Sequence, residues 1–210
     1  MKQVKWIWIL GILSAAATLA VYDRLPGQIP VHWGIDGKID RYGPRIYIFV
    51  TALLPLVMYG LFWLIPKIDP RKDSYDKHAG AYGVMAMTLV SFMIGLHWVT
   101  IGYSLGYDIN VVFLVKFFVG ILFVVLGNYL PVVRPNYTLG IRTPWTLADE
   151  IVWEKTHRIG GYLFVLTGIF WLIFAFVNRP WVFFVLMGWL VVLIGGIFIY
   201  SYVLYRERHS

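Results

Sequence analysis

The fold class predicted is an all-α membrane protein: a bundle of six transmembrane helices with a short outer hairpin-like loop and an inner interfacial helix. Three observations carry this. Hydrophobic residues fill 60% of 210 positions and charged ones only 14%, more apolar surface than so small a water-soluble core could bury. The apolar residues gather into six runs, each of about the 20 residues needed to cross ~30 Å of hydrocarbon at ~1.5 Å per residue. No run alternates like a barrel strand, and a backbone in lipid must satisfy its own hydrogen bonds, so the runs are helices.

The spans are expected at 6–22, 46–66, 81–106, 111–130, 159–177 and 181–205. The first is the shortest. Lys2, Lys5 and the Ala15-Ala16-Ala17 run also fit a cleavable signal peptide, which would leave five spans; continuation of the apolar run to Tyr22 favours an uncleaved anchor. The loop 23–45 follows. Pro26 and Pro30 hold Leu25 and Ile29 extended and Asp36-Gly37 suits a tight turn, so a hairpin pairing 29–35 with 38–42 is expected. It offers His32, Trp33 and Asp40 as candidate ligand contacts, beside Asp36 and Tyr42. The competing reading is an interfacial Trp and Tyr belt around a structural turn, and one His with two Asp at no fixed spacing is a weak metal signal.

Pro55 is expected to kink the second span without functional consequence. His97 in the third span and Lys116 in the fourth are polar groups within the membrane, placed at similar depth because a short turn joins their helices. A buried ionisable group costs ~2.5–3.5 kcal/mol at mid-bilayer, so each needs a reason; Lys116 either moves in function or snorkels to the outer headgroups. Gly102-x-x-x-Gly106 and Gly195-Gly196 permit close helix packing.

Positive charge sets the orientation. With the amino terminus inside, Lys2, Lys5, Lys67, Arg71, Lys72, Lys77, Arg134, Arg142, Lys155, Arg158, Arg206 and Arg208 are cytoplasmic, against Arg24, Lys38, Arg41, Arg45 and Arg179 outside. Both termini and the loop 131–158 are therefore expected in the cytoplasm, with 23–45 external. The formal charge of +7 is scattered among apolar runs, so the expected partner is the lipid bilayer and no direct nucleic-acid binding is expected. With no cysteine, disulfides and thiolate metal sites are excluded.

The stretch 127–161, GNYLPVVRPNYTLGIRTPWTLADEIVWEKTHRIGG, is the most informative connection. Pro131 and Pro135 bar helix and Gly140 permits a bend. Thr146 with Asp149 three residues on resembles a capping box opening a short amphipathic helix. Leu147, Ala148, Ile151 and Val152 share one side of it, with Glu150, Glu154 and Arg158 on another. It is expected to lie along the inner surface and turn into the fifth span at Gly160-Gly161, with Trp145 and Trp153 at headgroup depth. Arg142 and Arg158 would hold lipid phosphate or Glu154. Asn128, Asn136, Gly140, Arg142, Thr143, Pro144, Trp145, Trp153, His157 and Arg158 are the candidate site residues here. A docking face and a membrane-anchored loop both fit them.

Gly127-Asn128, Pro131, Pro135-Asn136, Gly140-Ile141-Arg142-Thr143-Pro144-Trp145-Thr146-Leu147, Trp153, Thr156-His157-Arg158 and Gly160-Gly161 closely resemble the signature of the SdpI family, bacterial immunity proteins against a secreted sporulation-delaying toxin. Leu25-Pro26, Ile29-Pro30-Val31-His32-Trp33, Gly37 and Asp40 look like the two-span membrane domain usual at the front of that family. The resemblance implies two domains, 1–80 and 81–210, in a multi-pass cell-membrane protein that protects its producer from a membrane-active peptide toxin. It also implies, for members with a partnered regulator, a toxin sensor that draws a cytoplasmic transcriptional repressor to the membrane.

Two other classes compete. Glu154-x-x-His157 superficially suggests a metal-dependent intramembrane protease, but HExxH and a second His-plus-carboxylate helix are missing, so no enzyme, metal or cofactor is expected. A small-molecule or ion transporter would use buried groups such as Lys116, yet no paired interrupted helices mark a midplane site.

Overall fold

A computed structural model describes residues 6–210. Lys2 and Lys5 of the charge count lie outside the described residues. Among those described, six helices are long and apolar enough to cross a membrane, as expected. They are α1 (Ile7–Val21), α2 (Ile48–Ile68), α4 (Ala79–Ser104), α5 (Val111–Tyr129), α7 (Glu150–Ala175) and α8 (Trp181–His209). Two short helices, α3 (Asp73–Lys77) and α6 (Pro144–Ala148), sit in connections. This is an all-α bundle of a multi-pass membrane protein. Its large apolar side chains that remain exposed, such as Leu13, Val50, Leu166, Ile173, Val191 and Ile194, lie on the spans, where lipid rather than water is the solvent.

One end of the bundle carries the hairpin. Strand β1 (Gln28–Trp33) runs antiparallel to β2 (Ile39–Pro44), with Gln28 opposite Pro44 and Ile29 opposite Gly43. The register slips after Pro30, so His32 faces Arg41 and Val31 has no partner across the ladder. Gly37 closes the turn at φ +79°, where Gly34 N–H donates to Lys38 O at 2.8 Å. The hairpin is seated because Leu25 and Ile29 bury against Ile48 of α2 and Ile101 of α4. At the same end α4 stops in a Schellman turn: Gly106 adopts φ +89° and Tyr107 N–H reaches Gly102 O at 3.1 Å. Gly102 and Gly106 therefore end a helix rather than pack one. Gly195 and Gly196 likewise have nothing within 4 Å of where a Cβ would stand.

The tightest pairing in the molecule is α5 against α7, and two glycine pairs make it. A Cβ on Gly120 would meet Gly168 O at 3.0 Å, and one on Gly127 would meet Gly161 O at 2.7 Å. The partners recur seven residues apart on both helices, so two antiparallel backbones touch twice on one seam. This overturns the expected turn at Gly160-Gly161. Helix α7 runs unbroken from Glu150 to Ala175 through that pair, whose missing side chains admit α5, Pro131 and Ile141.

Candidate functional site: the loop end of the bundle

The end opposite the hairpin is built from the α2–α4 connection and residues 130–149. Asp69, just past α2, organises the first. Its Oδ1 accepts from Arg71 N–H at 2.8 Å, and its Oδ2 accepts from Tyr75 OH at 2.8 Å, Thr138 Oγ1 at 2.9 Å and Tyr137 N–H at 3.1 Å. Burial alone would raise the carboxyl pKa, but these four hydrogen bonds outweigh it and hold Asp69 below the ordinary 3.8. Two of its four donors belong to the 130–149 connection, so one carboxylate ties the front of the chain to the rear.

Asn136 knots that connection. Its Nδ2 donates to Arg134 O at 2.8 Å and Leu139 O at 3.1 Å, while its Oδ1 accepts from Thr138 N–H at 2.9 Å and Leu139 N–H at 2.6 Å. Tyr75 OH stands 3.2 Å from the same oxygen; its single proton favours the shorter, charge-assisted bond to Asp69. With the side chain 1% exposed and both its donors used, Asn136 acts as a template for the loop backbone.

His157 completes the knot. Its Nδ1 lies 2.9 Å from Trp153 O and its Nε2 accepts from Ile141 N–H at 3.0 Å, which assigns the neutral, Nδ1-protonated tautomer. The ring stacks on Trp153 at 4.0 Å, and the Trp153 indole donates to Val133 O at 2.8 Å. Gly140, at φ +109°, passes so close over the His157 ring that a Cβ there would strike Nε2. Both His157 nitrogens are thus committed to main chain, and Glu154 lies 3.1 Å from Arg134. The Glu154-x-x-His157 pattern is structural in this geometry.

Thr143 opens α6. Its Oγ1 accepts from Thr146 N–H at 3.2 Å and Thr146 Oγ1 accepts from Thr143 N–H at 2.9 Å, a capping box three residues earlier than expected. Pro144 is at the first helical position, where its missing N–H costs nothing. Asp149 instead caps α7, accepting from Ile151 and Val152 N–H at 2.7 and 3.1 Å, and Arg208 of α8 sits 2.9 Å from its other oxygen. Thr143 Oγ1 also lies 3.0 Å from Ser201 Oγ, fastening the connection to α8.

The expected residues divide cleanly. Asn136, Gly140, Thr143, Trp153 and His157 converge in one buried knot. Trp153 is fully buried within the protein, and Trp145 packs against Phe198 and Tyr202 of α8. Arg142 donates to Tyr137 O at 2.7 Å, and Arg134, not Arg142 or Arg158, reaches Glu154. Asn128 and Arg158 are exposed, and among the described residues neither side chain makes a hydrogen bond within the chain. Asp69, Tyr75 and His78 were missed by sequence reasoning. The available signal was Asp69-Pro70, an aspartate ending a helix before a proline, in a connection otherwise read only as positive charge.

Towards the other end, His32 and Asp40 pair at 2.7 Å on the exposed hairpin, and Trp33 stands edge-on to Tyr103 at 5.9 Å. His97 and Lys116 do not meet. His97 bridges Thr18 of α1 at 2.8 Å and Thr51 of α2 at 2.9 Å. Lys116 Nζ donates to Phe174 O at 3.0 Å and Val177 O at 2.8 Å, capping the carbonyl end of α7 where the helix dipole favours a cation. Among the described residues no group of three or more His, Asp or Glu could hold a metal.

Residues 132–203 match the SdpI/YfhL protein family, and residues 9–59 match a domain of unknown function, DUF1648. The chain is 25% identical over 174 residues to the Immunity protein SdpI of Bacillus subtilis (strain 168), covering 83% of this chain and 82% of that one. No solved structure matches. The similarity to the SdpI/YfhL family thus lies on the knotted connection and the two spans after it, and that to DUF1648 on the first two spans and the hairpin.

Proposed function

We propose that this protein is an immunity protein of the bacterial cell membrane that protects its cell from a secreted, membrane-active peptide toxin. The observation that carries this reading is the extent of the similarity to the Immunity protein SdpI, which takes in 83% of this chain and 82% of that one. The hydrogen bonds from Tyr137 and Thr138 to Asp69 support it by tying the inner end of the second span to the knotted connection.

In this reading the loop end faces the cytoplasm and the hairpin faces out. Toxin at the hairpin end favours one arrangement of α1, α2 and α4 by its differential affinity for two states, and the Asp69 link carries that bias to the loop. Exposed Arg142 and Arg158 then form the face offered to a cytoplasmic transcriptional repressor. The test is survival of a toxin-sensitive bacterium expressing the chain, compared with His32→Ala, Trp33→Ala and Arg142→Ala at equal membrane abundance. Killing of cells that carry the wild-type protein refutes immunity; unchanged protection in every variant removes these residues from it.

A further inference from the structure

Helices α4 and α5 leave a groove of about 400 Å³ between them, walled by Val84, Met87 and Ser91 of α4 and by Phe118, Ile121 and Val125 of α5. Helix α4 leaves the loop end at Ala79 and α5 returns to it at Tyr129, so the groove lies in the half of the membrane nearer that end. Phe118 closes it at mid-membrane by packing over Gly95, where a Cβ would meet the ring at 3.0 Å. The wall is apolar: Thr88, which also lines it, turns its hydroxyl to Val84 O at 2.8 Å, and Ser91 sits at the closed end. Eight residue steps from Val84 to Phe92, at ~1.5 Å each, make the groove ~12 Å long and leave it a cross-section of roughly 30 Å². A helix ~10–12 Å across occupies roughly 80–110 Å², so a further helix is too wide for it and a single alkyl chain is not.

The open end of the groove carries a polar group. Asn128 follows Ile121 by seven residues, two turns along the same face of α5, and stands just before the helix ends, at headgroup depth. It is exposed, and among the described residues its amide makes no hydrogen bond within the chain. Its donors are therefore free for a phosphate oxygen. Lys77 and Asp76, both exposed just ahead of α4, offset each other in charge, so a phosphodiester rather than a net-anionic headgroup is what this end selects. A narrow apolar slot that ends in a free amide at headgroup depth complements a phospholipid, chain in the slot and phosphate at its mouth. A hydrocarbon without a headgroup leaves the amide unused.

We propose that the α4–α5 groove is a phospholipid site: one acyl chain lies between Met87 and Ile121, and the phosphodiester accepts a hydrogen bond from the Asn128 amide. The site stands independently of the immunity reading. Because α4 packs on α1 and α2 while α5 packs on α7, the bound chain bridges the front three spans and the rear three.

The test uses the full chain in dodecyl maltoside with a near-equimolar phosphatidylethanolamine that carries a diazirine midway along one acyl chain; palmitic acid with the same diazirine is the headgroup control. Crosslinks are mapped by mass spectrometry in the wild type and in three variants, each checked for folding by its thermal transition. Asn128→Leu deletes the amide at an exposed position, and Ser91→Phe and Val125→Trp fill the groove from opposite walls. Phospholipid crosslinks are expected on Met87, Ile121 and Leu122, to fall about five- to tenfold in Asn128→Leu for the loss of one hydrogen bond, and to vanish in both filling variants. Crosslinks spread evenly over the exposed faces of α2, α7 and α8, or unchanged in Asn128→Leu, overturn the proposal. So does palmitic acid that labels the groove as strongly as the phospholipid. A dimer that native mass spectrometry finds in the wild type and not in Val125→Trp also overturns it, by making a second copy the occupant.

Discussion

Gly127 and Gly161 stand backbone to backbone: a Cβ on the first would come within 2.7 Å of the second's carbonyl oxygen, and one on the second within 2.8 Å of the first's. Neither obstacle is a side chain that can swing away. Gly127→Leu and Gly161→Leu are therefore expected to destabilise the bundle by at least the ~1–3 kcal/mol usual for overpacking, because the helices themselves must separate. Thermal unfolding in detergent measures this. Gly195→Ala, with open space around it, is the control and should leave the transition within experimental scatter.

Asn136→Ala removes the two donors and the acceptor around which 134–139 folds. Each buried backbone group left unpaired costs about 1–3 kcal/mol, so the loop should open locally before the bundle melts. Hydrogen exchange should rise over 134–141 while the α5 and α7 interiors stay protected. Equal protection of the loop in the variant would show that its shape has another source.

Acid should loosen the loop end in two stages. Burial lowers the His78 imidazole pKa below its ordinary 6.5, and the nearby Arg134 charge adds to it. The unfolded chain therefore takes the proton first, and the His78 contribution, complete above 6.5, declines as pH falls below it. Asp69, held below 3.8, adds a second loss of the same sign as pH falls through its folded value. Tyr75 has the opposite sense: burial raises its pKa above 10.0, so its share is lost only in strong alkali. Melting curves of wild type and His78→Gln should diverge in slope below about pH 6.5 and run parallel above it.

Lys116→Met keeps the stem of the side chain and deletes its ammonium. The Phe174 and Val177 carbonyls then lose their cap, and fraying of the last turn of α7 is expected at a cost of about 0.3–2 kcal/mol. Exchange at 173–177 and peptide-toxin protection should be measured together. Increased exchange with intact protection marks Lys116 as a helix cap; lost protection with unchanged exchange would give it a direct role.

Topology is open to a single measurement. Of the described Lys and Arg residues, Lys67, Arg71, Lys72, Lys77, Arg134, Arg142, Lys155, Arg158, Arg206 and Arg208 gather at the loop end, against Arg24, Lys38, Arg41, Arg45 and Arg179 at the hairpin end. A reporter inserted after Pro135 should therefore be active only in its cytoplasmic form. Periplasmic activity there would reverse the proposed directions of reception and output.

Span number and type were written in the chain because each helix in lipid closes its own hydrogen bonds, so hydropathy and length suffice to specify it. The hairpin was legible for a similarly local reason: Pro30, Gly37 and the residues between them fix backbone geometry without help from elsewhere. What only the tertiary structure decided are relationships that cross the sequence. Asp69 finds Thr138 sixty-nine residues away, Lys116 finds the end of a helix fifty-eight residues on, and His157 spends both nitrogens on a backbone brought close by Gly140. Residue type alone marked Lys116 and His157 as candidate site residues; only packing supplied the backbone groups they bond. The glycine seam lies between the two cases: its seven-residue spacing was present on both helices, but only the antiparallel approach of α5 and α7 distinguished it from Gly195-Gly196, which meets nothing.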